Sequence, residues 1–478
     1  MAAPLCLFLT RPRLVWLFAL IVSALAFLFS SILLEQVMTS GTIIYELGGW
    51  DAPWGIEYRI DQLNAFLLLI ISAISTIVLF AADTSIRKEI PEDKHTHFYT
   101  LYLLSLAAML GIVATGDAFN IFVFLEISSL SAYALIALGK DRRALWASYQ
   151  YLIMGTIGAT FILIGIGLMY QMTGTLNIDD LSRRLPEVAQ TRTVFTAFAF
   201  VIVGICLKLA MFPLHLWLPN SYAYAPSIVS AFFAATATKV AIYLLIRFTF
   251  SVFGLSFSFT HLPLQLLFVT LGLVGIFVAS TAAIYQSNVK HLFAYSSIAQ
   301  IGYMIVGFSL TSVAGLTATL LHVFNHALMK GALFLALAAV MYRIGSTQLS
   351  QFQGLGRQMP LTMAAIVVGG LSLIGVPLTV GFVSKWYLVL AVLENGWWPV
   401  AVLILLGSLL AVVYVWRIVE TAYFKPALAG SETIKEAPLT FLIPIWTLVL
   451  ANIYFGIDTR LSVQVAQAAA QSLFGVSP

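Results

Sequence analysis

Seven ionisable side chains interrupt long apolar stretches of the sequence. They are Glu126, Lys208, Lys239, His322, His326, Lys330 and Lys385. A charge at the centre of a bilayer costs at least about 2.5–3.5 kcal/mol on insertion scales, so such groups must pair, contact water or lose their charge. Histidine titrates close to neutral pH, and a buried lysine can exchange its proton as a carboxylate approaches or leaves. The set therefore predicts a proton relay.

Structural explanations compete with the relay at the first three positions. Glu126 could serve only to neutralise Lys208 in a buried pair, and Lys208 and Lys239 could extend their side chains to the membrane surface. Both lysines stand well inside their apolar runs, which disfavours the second explanation. The relay remains the main prediction, with Glu126 controlling the proton on Lys208.

His322, His326 and Lys330 share one helix face because they are spaced four residues apart. Two histidines at this spacing could bind a metal ion, but no third ligand follows as in a His-Glu-x-x-His zinc motif. Hydrogen-bonded packing is the other alternative. The sequence predicts no metal and no other cofactor. Lys330 is closer to a helix end and is predicted to be an accessory position.

Proline interrupts two of the apolar stretches beside a lysine. Pro213 follows Lys208, whereas Pro377 precedes Lys385. Paired broken helices at corresponding positions are typical of transporters built from inverted repeats, and they free backbone groups and admit water at mid-membrane. The freed carbonyls could equally bind sodium, so these residues alone leave the transported ion open.

The composition places these segments in a membrane. Of 478 residues, 61% are hydrophobic and only 9% are charged, whereas a soluble domain has about 25% charged residues. A mean hydropathy of +0.98 agrees. Soluble enzymes, nucleic-acid-binding proteins and disordered scaffolds are therefore excluded. The two cysteines, Cys6 and Cys206, have no neighbouring partner, and the sequence contains no recognisable redox-centre or nucleotide motif.

The length leaves room for about 14 membrane-spanning helices. The apolar stretches long enough to cross are 14–34, 63–82, 99–115, 117–138, 147–172, 193–212, 225–250, 262–284, 294–312, 316–342, 361–393, 399–420 and 437–457. Residues 1–10 are counted as the first helix, although they cover only about half of the hydrocarbon core. They could be the end of a helix that begins upstream. The prediction is an all-α polytopic protein with a single transmembrane domain over 1–478.

Basic residues concentrate in the odd-numbered connections between these helices. They include Arg11, Arg13, Arg87, Lys88, Lys94, Lys140, Arg142, Arg143 and Lys425. The positive-inside bias therefore places the odd connections in the cytoplasm and both termini outside the inner (plasma) membrane of the cell. The acidic connection over 35–61 agrees with this orientation, whereas the arginines in 173–192 are an exception.

Several motifs, in order along the chain, resemble those of one known family. They are Asp-Ala-Phe-Asn-Ile-Phe-Val-Phe-Leu-Glu (117–126), Lys-Leu-Ala-Met-Phe-Pro-Leu-His-Leu-Trp-Leu-Pro (208–219), Ala-Pro-Ser (225–227), Lys-His-Leu-Phe-Ala-Tyr-Ser-Ser-Ile-Ala-Gln-Ile-Gly-Tyr (290–303) and His-Val-Phe-Asn-His-Ala-Leu-Met-Lys (322–330). The resemblance, from about residue 40 to 460, is to the antiporter-like membrane subunits. These occur in respiratory complex I, membrane-bound hydrogenases and multisubunit Mrp-type cation/proton antiporters.

The resemblance implies a fold of about 14 helices with two inverted five-helix repeats, here over 99–250 and 262–420, and with broken helices 7 and 12. It implies that Glu126 on helix 5 pairs with Lys208 on helix 7. It makes Lys239 the central lysine on helix 8. His322 and His326 then continue the path toward Lys385 on helix 12.

The segment 375–386 is most similar to the D-type subunits of Mrp antiporters. The expected function is the proton-translocating core of a multisubunit sodium/proton antiporter, with other integral membrane subunits and the lipid bilayer as partners and no nucleic acid. The alternative is a proton-pumping subunit of a complex I-like NADH:quinone oxidoreductase or membrane-bound hydrogenase, in which case the chain is part of an enzymatic translocase. A third possibility is a non-conducting scaffold or a coupling module for inorganic carbon uptake.

Overall fold

A computed structural model describes residues 2–9, 11–260, 263–427 and 434–476. Its α-helices are α1 Ala2–Leu5, α2 Pro12–Ser40, α3 Gln62–Glu89, α4 His95–Ala114, α5 Ala118–Ala137, α6 Arg142–Thr173, α7 Ile178–Val188, α8 Arg192–Leu209, α9 Trp217–Tyr224, α10 Ser227–Ile246, α11 Leu264–Ile284, α12 Val289–Ser309, α13 Val313–Ile344, α14 Leu355–Gln358, α15 Pro360–Ile374, α16 Val380–Glu394, α17 Trp398–Val419, α18 Leu439–Ile457 and α19 Arg460–Leu473. An antiparallel hairpin joins β1 Ile43–Glu46 to β2 Glu57–Ile60.

Twelve helices in the described ranges are long and apolar enough to cross a membrane. α15 and α16, of 15 residues each, form one further crossing with a break in the middle. These thirteen crossings correspond to the predicted stretches from 14–34 to 437–457. The segment predicted as a first helix contains only α1 and the single turn Cys6–Phe8, which pack against α4. Met1, Thr10 and Leu262, which belong to predicted spans, lie outside the described residues.

The connections gather at two opposite faces. One face carries the β1–β2 hairpin, α7 and the C-terminal end of α19, which together line one cavity; we call it the hairpin face. The opposite face carries residues 139–141, 225–226, 288–290 and 345–348, which line a second cavity. The position of these faces relative to the cell, and the location of the termini, stay predictions.

A pair of short backbone bridges repeats within the chain. Asp117, just before α5, pairs with Asn177, and Asn288, just before α12, pairs with Gln348 after α13. The first bridge lies at the hairpin face, because the neighbouring Thr115 pairs with Tyr58 of β2. The second lies at the opposite face. The same local structure on opposite faces is the mark of inverted repeats, and the broken helices expected within them are present as α8–α9 and α15–α16.

Glycine pairs allow two matching helix crossings to approach closely. A Cβ atom on Gly204 of α8 would lie 2.5 Å from the carbonyl oxygen of Gly158 on α6, and one on Gly302 of α12 would lie 2.6 Å from that of Gly272 on α11. Such backbone contact is how helices associate in a membrane, where apolar side chains gain nothing by leaving lipid. Each of these two crossings joins two helices within one repeat.

Gly204→Ala is therefore expected to destabilise the protein by about 1–3 kcal/mol, because the added methyl group meets backbone that cannot move away. Thermal unfolding in detergent measures the effect. Gly167→Ala on α6 is the matched control, since a Cβ there meets nothing within 4 Å. A helix-interior alanine is better than glycine by about 1 kcal/mol, so the control should be unchanged or slightly stabilised. Equal melting temperatures in the two variants would contradict the close crossing.

Candidate functional site

Five helices bring the predicted relay residues into the interior: α5, α8, α10, α13 and α16. Six side chains are buried, with relative exposures of 8% or less: Lys208, Lys239, His322, His326, Lys330 and Lys385. Glu126 is half-buried. Removing an ion from water costs several kcal/mol, so each buried group requires a partner that offsets this cost.

The first broken helix places Lys208 at its end. α8 stops at Leu209, and Ala210 adopts a left-handed conformation with φ 57° that turns the chain away. Trp217 at the start of α9 donates its ring N–H to the carbonyl of Leu207 at 3.0 Å. Because the helix ends inside the membrane, its last carbonyls and Lys208 lie at the centre of the protein. The Lys208 ammonium donates a hydrogen bond to Ser129 of α5 at 2.6 Å.

Glu126 lies three residues before Ser129 on α5, but it does not close the ion pair that the family resemblance implies. Among the described residues the structure gives no bond between Glu126 and Lys208, and Glu126 Oε1 is buried without a partner. The two groups are still near enough to interact electrostatically. A cavity of about 40 Å³ lies beside Lys208 and is lined by Ser128, Ser129 and part of α10. It has room for water, which needs about 10–15 Å³ per molecule on this measure.

The second broken helix places Lys385 opposite the end of α15. That half-helix stops at Gly375, which has φ 94°, and Pro377 lies in the connection before α16. The Lys385 ammonium reaches back to the carbonyls of Leu373 and Ile374 at 2.8 and 3.0 Å. It also lies 4.8 Å from the centre of the Tyr303 ring, a cation–π contact. Lys385 therefore satisfies the carbonyls that the break leaves free.

His322 is held by neutral partners on two other helices. Its Nδ1 atom is 2.8 Å from the hydroxyl of Ser384 on α16, and its Nε2 atom is 2.9 Å from Oε1 of Gln300 on α12. Since Ser384 is the residue before Lys385, this bond links α13 directly to the second break. An imidazole with both nitrogens held in this way can accept a proton at one and release it at the other.

His326 differs from His322 in having no hydrogen-bond partner. Its ring is parallel to that of His322, with centroids 6.2 Å apart. Both ring nitrogens are fully buried and unsatisfied by any described group. A buried polar atom without a partner is costly, and ordered water is the usual solution. We therefore expect water to contact this ring.

Lys239 and Lys330 flank His326 and differ in their own bonds. Lys239 donates to the carbonyl of Ala234 within its own helix at 2.6 Å. Lys330 donates to the carbonyl of Phe293 on α12 at 2.8 Å and to the hydroxyl of Ser296. Lys330 thus ties α13 to α12, which agrees with an accessory position. Among the described residues, the hydrogen bonds of Lys239 are to Ala234 and Thr238 of its own helix, so it makes no such tie.

The contacts of the predicted residues form two groups. In the first, Lys208 bonds to Ser129, one helical turn after Glu126. In the second, the ring of His326 lies parallel to that of His322, which bonds to Ser384 beside Lys385. Water in the small cavity beside Lys208 would extend the first group toward α10, the helix that carries Lys239.

Sequence reasoning missed the neutral partners and several buried charges, of which Arg247 is one. Ser129, Gln300 and Ser384 carry no signal of their own, because nothing in a single sequence marks a polar residue as the partner of a distant lysine or histidine. Arg247 lies within the predicted span 225–250 and forms a buried ion pair with Asp61. Its spacing from Lys239, two steps of four residues along one helix, could have revealed it.

The comparisons with known proteins agree with this architecture. A family model described as NADH:quinone oxidoreductase/Mrp antiporter, transmembrane, matches residues 115–411. The N subunit of the NADH-quinone oxidoreductase of Desulforudis audaxviator is 41% identical over 425 residues, covering 86% of this chain and 84% of that protein. The D-type subunit of the Na⁺/H⁺ antiporter of Bacillus subtilis is 30% identical over 477 residues, covering 99% and 95%. A chain of the membrane-bound sulfane sulfur reductase, an archaeal respiratory membrane complex, superposes with a TM-score of 0.90 at 32% identity, covering 99% and 94%.

Proposed function

We propose, because this chain belongs to the NADH:quinone oxidoreductase/Mrp antiporter membrane family, that it translocates protons as one subunit of a larger membrane complex. The path is the buried line from Glu126 and Lys208, through Lys239 and the two histidines, to Lys385. One observation carries the proposal: none of the ion pairs in the described ranges includes a buried lysine of this line.

Basic groups buried together without a carboxylate in contact cannot all be charged. Two unit charges 10 Å apart repel by about 1.7 kcal/mol at an effective dielectric constant of 20. A proton on Lys239 therefore opposes a proton on His326, and the protonation states of the line are coupled. Moving Glu126 toward or away from Lys208 changes the charge at one end, and the coupling transmits that change along the line. This is the physical basis of stepwise proton transfer.

The first form of the proposal is a core subunit of a monovalent cation/proton antiporter. Proton entry through this chain would drive sodium export elsewhere in the complex. Support comes from the Bacillus subtilis antiporter relative, which aligns with 99% of the chain. Partner subunits and lipid would cover the apolar faces that the chain leaves open, such as that of α2, of which only 22% of the apolar window is buried.

The second form is a proton-pumping subunit of a respiratory complex, driven by redox chemistry in other chains. The 41% identity to the N subunit of NADH-quinone oxidoreductase favours this form, as does the sulfane sulfur reductase structure at 32% identity. Both forms use the same buried line. In the antiporter form proton entry drives sodium export, whereas in the respiratory form redox chemistry in other chains drives proton movement.

Inverted vesicles that contain the whole complex distinguish the two forms. In an antiporter, adding sodium should dissipate a preformed proton gradient, because entering sodium is exchanged for protons. In a respiratory complex, an electron donor should build the gradient, and sodium should have no effect. A fluorescent probe of vesicle pH measures both responses.

Lys385→Leu is expected to remove whichever response is present, since the leucine carries no proton. Lys425→Leu is the matched control, because Lys425 lies in a connection with 47% of its side chain exposed. Vesicles that show neither response with the wild-type complex, or an unchanged response in Lys385→Leu, would contradict the proposed function.

A further inference from the structure

The hairpin face contains a polar cavity that the proposed pathway does not use. It has a volume of about 220 Å³ and lies at the C-terminal end of α10. Polar side chains line it, including Thr42, Asp61, Asn64, Ser182, Arg247 and Ser251. One water molecule needs about 10–15 Å³ on this measure, so the cavity has room for several.

An ion pair forms the floor of this cavity. Arg247 donates to Asp61 at 2.7 Å, and the two side chains are only 10% and 14% exposed. The same guanidinium donates to Oδ1 of Asn64 at 2.7 Å and to Ser251 at 3.2 Å. Four groups from α3 and the end of α10 thus close the cavity toward the membrane interior. Such a dense set of charge-assisted bonds fixes the guanidinium in one orientation.

A hydrogen-bonded tyrosine lines the cavity beside this ion pair. Asn64 donates its amide N–H to the hydroxyl of Tyr243 at 3.1 Å, and that hydroxyl donates to the carbonyl of Val113 at 3.1 Å. Tyr243 is 1% exposed. It stands four residues after Lys239 and four before Arg247, so the three side chains share one helix face at steps of about 6 Å. The cavity therefore lies on the same face as the central lysine.

The backbone hydrogen-bonding pattern of this helix changes at Arg247. The α-helical hydrogen bonds of α10 end at Ile246, and Arg247–Val252 form a π-helical turn. Such turns are rare and are frequently found at functional sites. The C-terminal helix α19 forms one wall, where Ser472 and Leu473 line the cavity and Phe474 contacts Phe250 with ring centroids 5.4 Å apart.

We propose that this cavity is the port through which protons pass between water at the hairpin face and Lys239, and that the Arg247–Asp61 ion pair is its gate. The inference rests on the proposed proton translocation. In the structure the ion pair and Asn64 line the cavity together with Tyr243, so a proton that reaches Tyr243 from the cavity passes beside the paired charges. Loss of Arg247 leaves Asp61 unpaired, and the negative charge of Asp61 then attracts protons to the port. Loss of Asp61 leaves Arg247 unpaired, and its positive charge repels them.

Chemical labelling tests the port without any measurement of transport. Ser251→Cys should react with a membrane-impermeant thiol reagent added at the hairpin face and be protected from reagent at the opposite face. The wild-type complex is the control, since Cys6 and Cys206 are buried with exposures of 0% and 3%. Absence of labelling, or labelling from the opposite face, would overturn the port while leaving the relay and its lysine variants unaffected.

Two charge-neutralising variants test the gate. Arg247→Gln should raise the passive proton leak through the assembled complex, and Asp61→Asn should lower it, each by about tenfold, because a single unpaired charge in a cleft changes the local ion concentration by that order. The double variant should return toward the wild-type leak. A purely structural ion pair predicts that both single variants change the leak in the same direction.

The matched control for this pair lies outside the cavity. Arg460 and Asp458 form an exposed pair at 2.6 Å that does not line the cavity, so Arg460→Gln should leave the leak unchanged. Leak changes of the same sign in Arg247→Gln and Asp61→Asn, or no change in either, would overturn the gate.

Discussion

Lys208→Ala is expected to reduce proton translocation by about 100-fold or more, the usual cost of removing a group that carries a proton in the rate-determining step. The structure gives the reason. The ammonium lies at the end of α8, inside the membrane, and its hydrogen bond is to a hydroxyl that cannot replace it as a proton carrier. Alanine leaves the small cavity beside it but no group that binds the proton there. Flux into vesicles that contain the whole complex measures the loss.

Glu126→Ala should give a loss of similar size, because it removes the half-buried carboxylate that lies one helical turn before Ser129, the hydrogen-bond partner of Lys208. Assembly must be followed in parallel by co-purification of the other subunits, since a lost partner would also stop transport. Lys94→Ala is the matched control: Lys94 is exposed in the connection before α4. Normal flux in assembled Lys208→Ala and Glu126→Ala complexes would refute the relay.

Lys239→Leu is expected to stop translocation without weakening the fold. The Lys239 ammonium is fully buried, and its nearest partners, Ala234 and Thr238, belong to its own helix. Leucine therefore breaks no tie between helices and removes a charge from an apolar site. Replacing a buried charge by a hydrophobic side chain is often neutral or stabilising by about 1–4 kcal/mol. The melting temperature should stay the same or rise while proton flux falls to background.

Lys330→Leu provides the contrast. Lys330 bonds to a carbonyl and a hydroxyl of α12, so its replacement removes the tie between α13 and α12, although Ser296 and Ser297 still donate to the same carbonyl. A hydrogen bond from a charged group contributes about 1.5–3 kcal/mol, and the melting temperature should fall. Equal destabilisation in Lys239→Leu and Lys330→Leu would mean that Lys239 is a structural residue, and retained flux in Lys239→Leu would remove it from the path.

The sequence predicted the parts of this structure that depend on local chemistry. Long apolar runs mark the crossings because backbone groups in lipid must be satisfied within a helix. Proline marks the breaks near positions 213 and 377 because it cannot continue a helix. The buried lysines and histidines stand out against their apolar neighbours for the same reason. Each of these signals can be read within about twenty residues.

Contacts between distant segments could not be predicted in this way. The bond between Lys208 and Ser129 joins residues 79 positions apart, and that between His322 and Ser384 joins residues 62 positions apart. The absence of a bond between Glu126 and Lys208 could not be predicted either, because a sequence shows that two charged residues are present but not how far apart they lie. Arg247 was included in a predicted span, yet its partner Asp61 lies 186 positions away.

The two broken helices have a consequence for where a proton rests. Lys208 lies in the last turn of α8, and Lys385 bonds to the last carbonyls of α15. The carboxyl end of a helix carries about half a negative elementary charge from its aligned peptide dipoles. Both end lysines thus have a backbone counter-charge, whereas Lys239 lies in the middle of α10, where the dipoles cancel. A proton is therefore more stable at Lys208 or Lys385 than at Lys239, and Lys239 is the position of highest energy between them.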